Sequence, residues 1–196
     1  MRGLFAPLEA WQFGDLRPHY YSLVVADPPW RFRTRSERGG EKSASKHYRC
    51  YPVEEIFWRF PIGDLADPDC LLLCWATAPL LDKQIECVKA WGYEYKTLLY
   101  WEKIFLSGRP AIGTGYRVRS MAEPVIVATR GEPKHAALPG LFKGIRRKHS
   151  QKPESFYEMV DERCTQLTRR ADVFARTRRP GWHSFGDELD MFEAAA

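Results

Sequence analysis

Residues 21–30, YSLVVADPPW, decide how the rest of the chain is read. A short run of Leu, Val and Ala with no helical period predicts a buried strand over 21–26 that ends at Asp27. Further runs of the same kind lie outward from it. CLLLCW at 70–75, YKTLLYWE at 95–102, EPVIVAT at 123–129 and ADVFA at 171–175 read as four more strands, the last being 171–175. Helical spacing falls between them. A short helix is expected over 53–59. Pro79 opens a second, with Leu81, Ile85 and Val88 on one side and Gly92 as its stop. Pro153 and Glu154 open a third, with Phe156, Val160 and Cys164 on one face. Strands that are apolar throughout and alternate with helices predict an α/β fold: a mostly parallel sheet with helices on both faces, in one domain over 1–196. In such sheets ligands bind beyond the carboxyl ends of strands, so the chemistry is expected just after residues 26, 75 and 175.

Three polar stretches interrupt this pattern. Residues 31–47 carry charge and glycine but few large apolar side chains, and are expected to be a mobile loop. Residues 107–119 and 131–152 read as basic loops. The net charge of +5 and pI near 9.0 agree with a polyanionic partner. No apolar run reaches the roughly 20 residues that a membrane span needs, and the N-terminus lacks the layout of a secretory signal. The five cysteines (Cys50, Cys70, Cys74, Cys87 and Cys164) form no CxxC pair. An odd, scattered set argues against a disulfide framework and for a reducing compartment, the cytoplasm or, in a eukaryote, the nucleus. Cys70 and Cys74 belong to an apolar run and are expected in the core. His149 has no second ligand at metal spacing, so no metal is expected.

Asp27-Pro28-Pro29-Trp30 holds the residue types for gripping an aromatic amine. The Asp27 carboxylate accepts a hydrogen bond. The Pro28 carbonyl is a second acceptor, two prolines stiffen the turn, and Trp30 offers a flat face. The same residues also make an ordinary turn with a tryptophan capping the core.

Five ordered motifs together carry a resemblance: ADPPW at 26–30, LLLCWAT at 71–77 with WGYE at 91–94, GTGYRVRSMAEPVIVATRG at 113–131, HSQKPESFYEMV at 149–160 and DVFARTRRPGWHSFGDEL at 172–189. In this order and spacing the chain resembles the DPPW-type N6-adenine methyltransferases, over nearly its whole length. The resemblance implies a Rossmann-like fold dependent on S-adenosylmethionine (SAM), with permuted motif order, the DPPW strand early and the cofactor-binding strand late. It implies that Asp27 and the Pro28 carbonyl hold the adenine amine while Pro29 and Trp30 wall the base site. It places Lys152 near the SAM carboxylate and Asp27, and Asp172 at the ribose hydroxyls. Arg176, Arg178 and Arg179 fall on the cofactor side, Asp187 and Glu188 near its adenosine half, and Asp15 and Leu16 at its adenine. Where the messenger-RNA enzyme of this family has His-Asn, this chain has Arg178-Arg179; where that enzyme has Asn-Gln, it has Asp187-Glu188. No counterpart of the N-terminal RNA-recognition regions of the eukaryotic enzymes is expected.

The amine is a poor nucleophile because its lone pair is delocalised into the purine. Two acceptors on its hydrogens favour a pyramidal nitrogen and ease proton loss. The expected products are N6-methyladenine and S-adenosylhomocysteine. Arg33, Arg35, Tyr48, Tyr51, Arg117, Arg119, Arg146, Arg147 and Lys148 are expected to meet nucleic acid, as phosphate ligands and stacking surfaces. DNA is the expected substrate. The alternatives are RNA, a non-catalytic nucleic-acid-binding subunit, and a small-molecule methyltransferase; a homo- or heterodimer is compatible with all of them. Degenerate family partners lose the acid of DPPW, and this chain keeps it. Glu123 reads as a residue that orients the loop arginines or the base site.

Overall fold

The computed structural model describes residues 11–31, 50–113, 117–147 and 151–189. Its strands are β1 (Tyr21–Ala26), β2 (Ala66–Trp75), β3 (Glu94–Ile104), β4 (Ala122–Arg130), β5 (Leu141–Ile145), β6 (Arg170–Val173) and β7 (Trp182–Phe185). The helices are α1 (Val53–Arg59), α2 (Leu81–Ala90) and α3 (Glu154–Arg163). The seven strands form one sheet in the order β5-β3-β4-β2-β1-β6-β7. All pair in parallel except β4, which runs against both β2 and β3. The sheet is therefore mostly parallel with helices on both faces, the Rossmann-like arrangement expected.

Alternation explains the layering. In β1 and β2, Val24, Ala26, Leu72 and Cys74 point to one face, with Ile56 of α1 and Val88 of α2. Leu23, Val25, Leu71, Leu73 and Trp75 point to the other, with Phe156 and Val160 of α3. Both strands are buried on both sides because each face is covered by helix. Leu71, Leu72 and Leu73 are wholly buried, and each contributes about 1.5–3 kcal/mol of burial. All five cysteines are buried, and none is in a disulfide.

Three expectations need correction. The strand at 171–175 is not the last one and does not reach 175. β6 stops at Val173, Phe174 takes a left-handed φ of 65°, and β7 follows at the sheet edge. The stretch 131–152 is not all loop, since it contains β5. Both missed strands are short and carry little pattern: Leu141 and Ile145 are exposed, and only Trp182 of β7 is buried. Last, β2 begins at Ala66, before its apolar run, because the backbone of Ala66 already pairs with Tyr21.

Candidate active site

Strand parity brings the polar residues together. Asp27 lies two positions beyond Val25 and so faces the α3 side of the sheet. Asp172, between Ala171 and Val173 of the opposite face, also turns toward α3. Glu123 follows the parity of Val125, and Lys103 that of Leu99 and Trp101. Because β4 is antiparallel, its first residues lie at the carboxyl ends of the other strands. Glu123 therefore arrives beside Asp27 although it opens a strand rather than closing one.

Lys152, just ahead of α3, ties this cluster together. Its Nζ is 3.1 Å from Asp27 Oδ1 and 3.2 Å from Glu123 Oε2, and it lies 4.4 Å from the centroid of the Trp75 ring. Glu123 also pairs through Oε1 with Lys103, its diagonal neighbour across the β3–β4 ladder. Burial alone works against every charge here. It pushes the Asp27 carboxyl up, and Lys152 and Arg176 offset only part of that rise. Burial also opposes ionisation of Glu123, but the Lys152 and Lys103 ammoniums outweigh it and hold this carboxyl at about 2. For Lys152, Asp27 and Glu123 overcome desolvation and raise the ammonium above the ordinary lysine range. The cluster is a cation held between the Asp27 and Glu123 carboxyls.

Asp172 builds a second polar site on the same face. It is 2% exposed, accepts a 2.9 Å hydrogen bond from the Tyr157 hydroxyl and lies 3.5 Å from Arg179 Nη1. Burial raises its carboxyl to about 7 against the opposing effect of Arg179 and Tyr157. β6 lies between β1 and β7, so Asp172 is an interior acid and not an edge one. Arg176 Nε sits 3.1 Å from Glu188 Oε2, while Asp187 and Arg178 are exposed.

The DPPW turn is tighter than its composition suggests. The Pro28 carbonyl is not wholly free, because it accepts the Trp30 N–H at 2.8 Å; one lone pair remains. Trp30 is 5% exposed, and its indole N–H donates to the Trp75 carbonyl at 2.8 Å. The ring is thus a buried wall that pins the turn to the end of β2, not an open stacking face. Pro29 is half-buried, and its carbonyl accepts the Tyr51 N–H.

Other expected residues are scattered. Leu16 is 4% exposed in the core, and its carbonyl accepts the Trp11 indole N–H, while Asp15 is exposed on the turn before it. That turn packs near the segment expected on the cofactor side, through Phe13 against Phe185 at 5.5 Å between centroids. Tyr51 is no stacking surface: it is 8% exposed within the core, paired in an isolated bridge with Trp30. Arg117, Arg119, Arg146 and Arg147 are exposed, and Arg147 reaches Glu154 at 3.3 Å. Arg33, Arg35, Tyr48 and Lys148 lie outside the described residues, as does most of the expected loop 31–47. Residues 131–140 leave from the far end of the sheet, since β4 runs that way, so of the described residues of the second basic loop only 146–147 and 151–152 lie at the site end.

Sequence reading missed Lys103, Glu154 and Tyr157. Lys103 was findable, being the residue of the Trp101 parity that reaches the carboxyl end of β3. Glu154 and Tyr157 follow the helix start by zero and three positions, but only the packing of α3 on β6 shows what they meet. Among the described residues no three His, Cys, Asp or Glu stand where they could hold a metal ion, and no helix is long and apolar enough to cross a membrane.

Comparison with known proteins takes in this whole cluster. The MT-A70 family profile matches residues 21–188. Type II methyltransferase M.MunI of a Mycoplasma species is 27% identical over 90% of this chain and 81% of its own length. The N6-methyladenosine RNA methyltransferase MTA1 of Cryphonectria parasitica is 28% identical over 88% of this chain and 53% of its own. The human N(6)-adenosine-methyltransferase catalytic subunit METTL3 is 27% identical over 87% of this chain, which spans 28% of that protein. From the first residue of β1 to the acid that pairs with Arg176, the profile covers Asp27, Glu123, Lys152 and Asp172 alike, and the chain belongs to the MT-A70 family of N6-adenine methyltransferases.

Proposed function

We propose that this protein transfers the methyl group of SAM to the N6 amine of adenine in DNA. The observation that carries the reading is the Asp27–Lys152–Glu123 cluster at the carboxyl ends of β1 and β2, where β4 begins. The donor set fits SAM: an ammonium at Lys152 for a carboxylate, buried Asp172 for a vicinal diol, and Arg176, Glu188 and the 11–16 turn on the adenosine side. When bound, SAM supplies an electrophilic methyl group on a sulfonium that leaves readily.

The chain's own residues do the rest. Asp27 and the remaining lone pair of the Pro28 carbonyl accept the two amine hydrogens, which turns the nitrogen lone pair out of the ring plane. Lys152 keeps Asp27 charged and still. Glu123, itself held by Lys103, keeps Lys152 from leaving that position. The amine must shed one proton as its new N–C bond forms. Asp27 is the carboxylate against it, and burial has raised its affinity for a proton. Trp30 and Pro29 close the wall of the base site.

The DNA reading draws on the similarity to the type II methyltransferase M.MunI; the two RNA methyltransferases are matched at like identity, 28% and 27%, and make RNA the alternative. The exposed arginines at 117, 119 and 146 serve as phosphate ligands at the same end of the sheet. The test is transfer of labelled methyl from SAM to single- and double-stranded DNA and RNA, with digestion to nucleosides and Asp27→Ala as the control. Label in N6-methyladenine, strongest on DNA and lost in the variant, is expected. Stronger labelling of RNA would reverse the substrate assignment, and no labelling of any nucleic acid would overturn the reading.

A further inference from the structure

Arg179 stands where the messenger-RNA enzyme has asparagine; both of its terminal nitrogens are engaged, while its buried Nε has no hydrogen-bond partner among the described residues. The guanidinium carbon lies 3.5 Å from the centroid of the Tyr157 ring. Nη2 meets Glu154 at 3.2 Å (Oε1) and 3.4 Å (Oε2), and Nη1 meets Asp172 Oδ2 at 3.5 Å and the Thr177 carbonyl at 3.4 Å. Tyr157 donates to that same Oδ2 at 2.9 Å. The arginine side chain is 12% exposed and spans from α3 to the end of β6. With both terminal nitrogens engaged, it is placed to hold a neighbour rather than to bind a ligand directly.

We propose that Arg179 is the positioning residue of the Asp172 site, holding that carboxylate charged and fixed through Oδ2 so that Oδ1 meets the hydroxyls of a vicinal diol. The proposal rests on the reading of Asp172 as the ribose ligand of SAM. A carboxylate accepts from two hydroxyls; a carboxylic acid spends one oxygen as a donor. Four groups face Asp172: Arg179 from the segment after β6, Tyr157 and Glu154 from α3, and Asp27 from the end of β1. Burial, Asp27 and Glu154 favour the protonated acid, and Arg179 with Tyr157 opposes them. Stacking on Tyr157 and the bond to Glu154 fix where the cation sits, which a freely rotating lysine would not reproduce fully.

The experiment is calorimetric SAM binding to the whole protein as a function of pH, for wild type, Arg179→Met, Arg179→Lys and Asp172→Asn, each checked for its fold by circular dichroism. Groups common to all variants cancel in the comparison. Asp172→Asn is expected to weaken binding about tenfold or more at every pH above the acid limb. Arg179→Met is expected to move the acid limb of binding up by about one pH unit. Arg179→Lys is expected to restore part of that shift. If Asp172→Asn binds as wild type does, the ribose reading fails and the proposal with it. If Asp172→Asn weakens binding but the Arg179→Met limb does not move, or if Arg179→Lys is no better than Arg179→Met, the ribose reading stands and the role of Arg179 is refuted.

Discussion

Lys152 is a lysine shared between two carboxyls of the protein. It bridges Asp27 and Glu123 and caps the Trp75 ring, so Lys152→Met removes the cation between the two carboxyls and leaves Lys103 on Glu123 alone. Methyl transfer by that variant is expected to fall ~10²-fold or more, measured as single-turnover rate at saturating SAM. Glu123 is a positioning residue, and its effect on pH stability has a definite sign. Its folded value, about 2, lies below the ordinary 4.5, so its contribution is present above 4.5 and is lost as pH falls toward 2. Glu123→Gln should therefore flatten part of the acid unfolding curve in that window. Asp172 has the opposite sign. Its folded value of about 7 lies above 3.8, so the native state binds the extra proton, and stability declines as pH rises from about 4 to about 7. Melting temperatures across this range should show Asp172→Asn gaining on wild type as pH rises, while it loses SAM affinity. A site residue that costs stability is the usual trade-off.

At the scale of elements, the joint between β5 and α3 places Lys152. Gly144 of β5 accepts the Trp101 indole N–H at 2.9 Å through its carbonyl. A Cβ at Gly144 would come within 2.6 Å of both Trp101 Nε1 and Pro153 Cβ. Pro153 precedes α3 directly and follows Lys152, so Gly144→Ala pushes on the segment that carries the lysine. It is expected to cost about 1–3 kcal/mol by urea unfolding and to lower methyl transfer as well. An unchanged rate in a destabilised variant would show that the joint and the lysine are not coupled. The reversal of β4 matters in the same way. A parallel strand in that place would begin at the far end of the sheet and carry Glu123 away from Lys152.

At the scale of the whole molecule, the charge of +5 is unevenly useful. The acidic and basic groups nearest the chemistry neutralise each other, whereas Arg117, Arg119 and Arg146 are exposed around the carboxyl end of the sheet. Replacing all three with alanine is expected to weaken duplex binding and to reduce the slope of log K against log salt by about 1 for each phosphate that is no longer neutralised. SAM affinity should be unchanged. A salt slope equal to that of wild type would place the phosphate ligands elsewhere.

Much of this molecule was legible in its residues taken alone. Apolar runs report the burial of their own backbone, so β1, α1 and the cores of β2, β3 and β4 could be read directly, and the DPPW turn marked the end of β1 as the place for chemistry. Spaced motifs pointed to the family and to Lys152, Asp172 and Arg176. Other features depend on partners distant in the chain, which a local pattern does not encode. β5 and β7 exist because a neighbouring edge offers hydrogen bonds, not because their side chains alternate cleanly. Trp30 and Tyr51 look like open aromatics in the sequence, yet Trp30 is buried and pinned to the end of β2 through the Trp75 carbonyl, and Tyr51 is buried against Phe60. The convergence of Lys103, Glu123, Lys152 and Asp27 was set by strand direction and register. Those are properties of the sheet as a whole, because a ladder bond is chosen by which strand lies alongside and which way it runs.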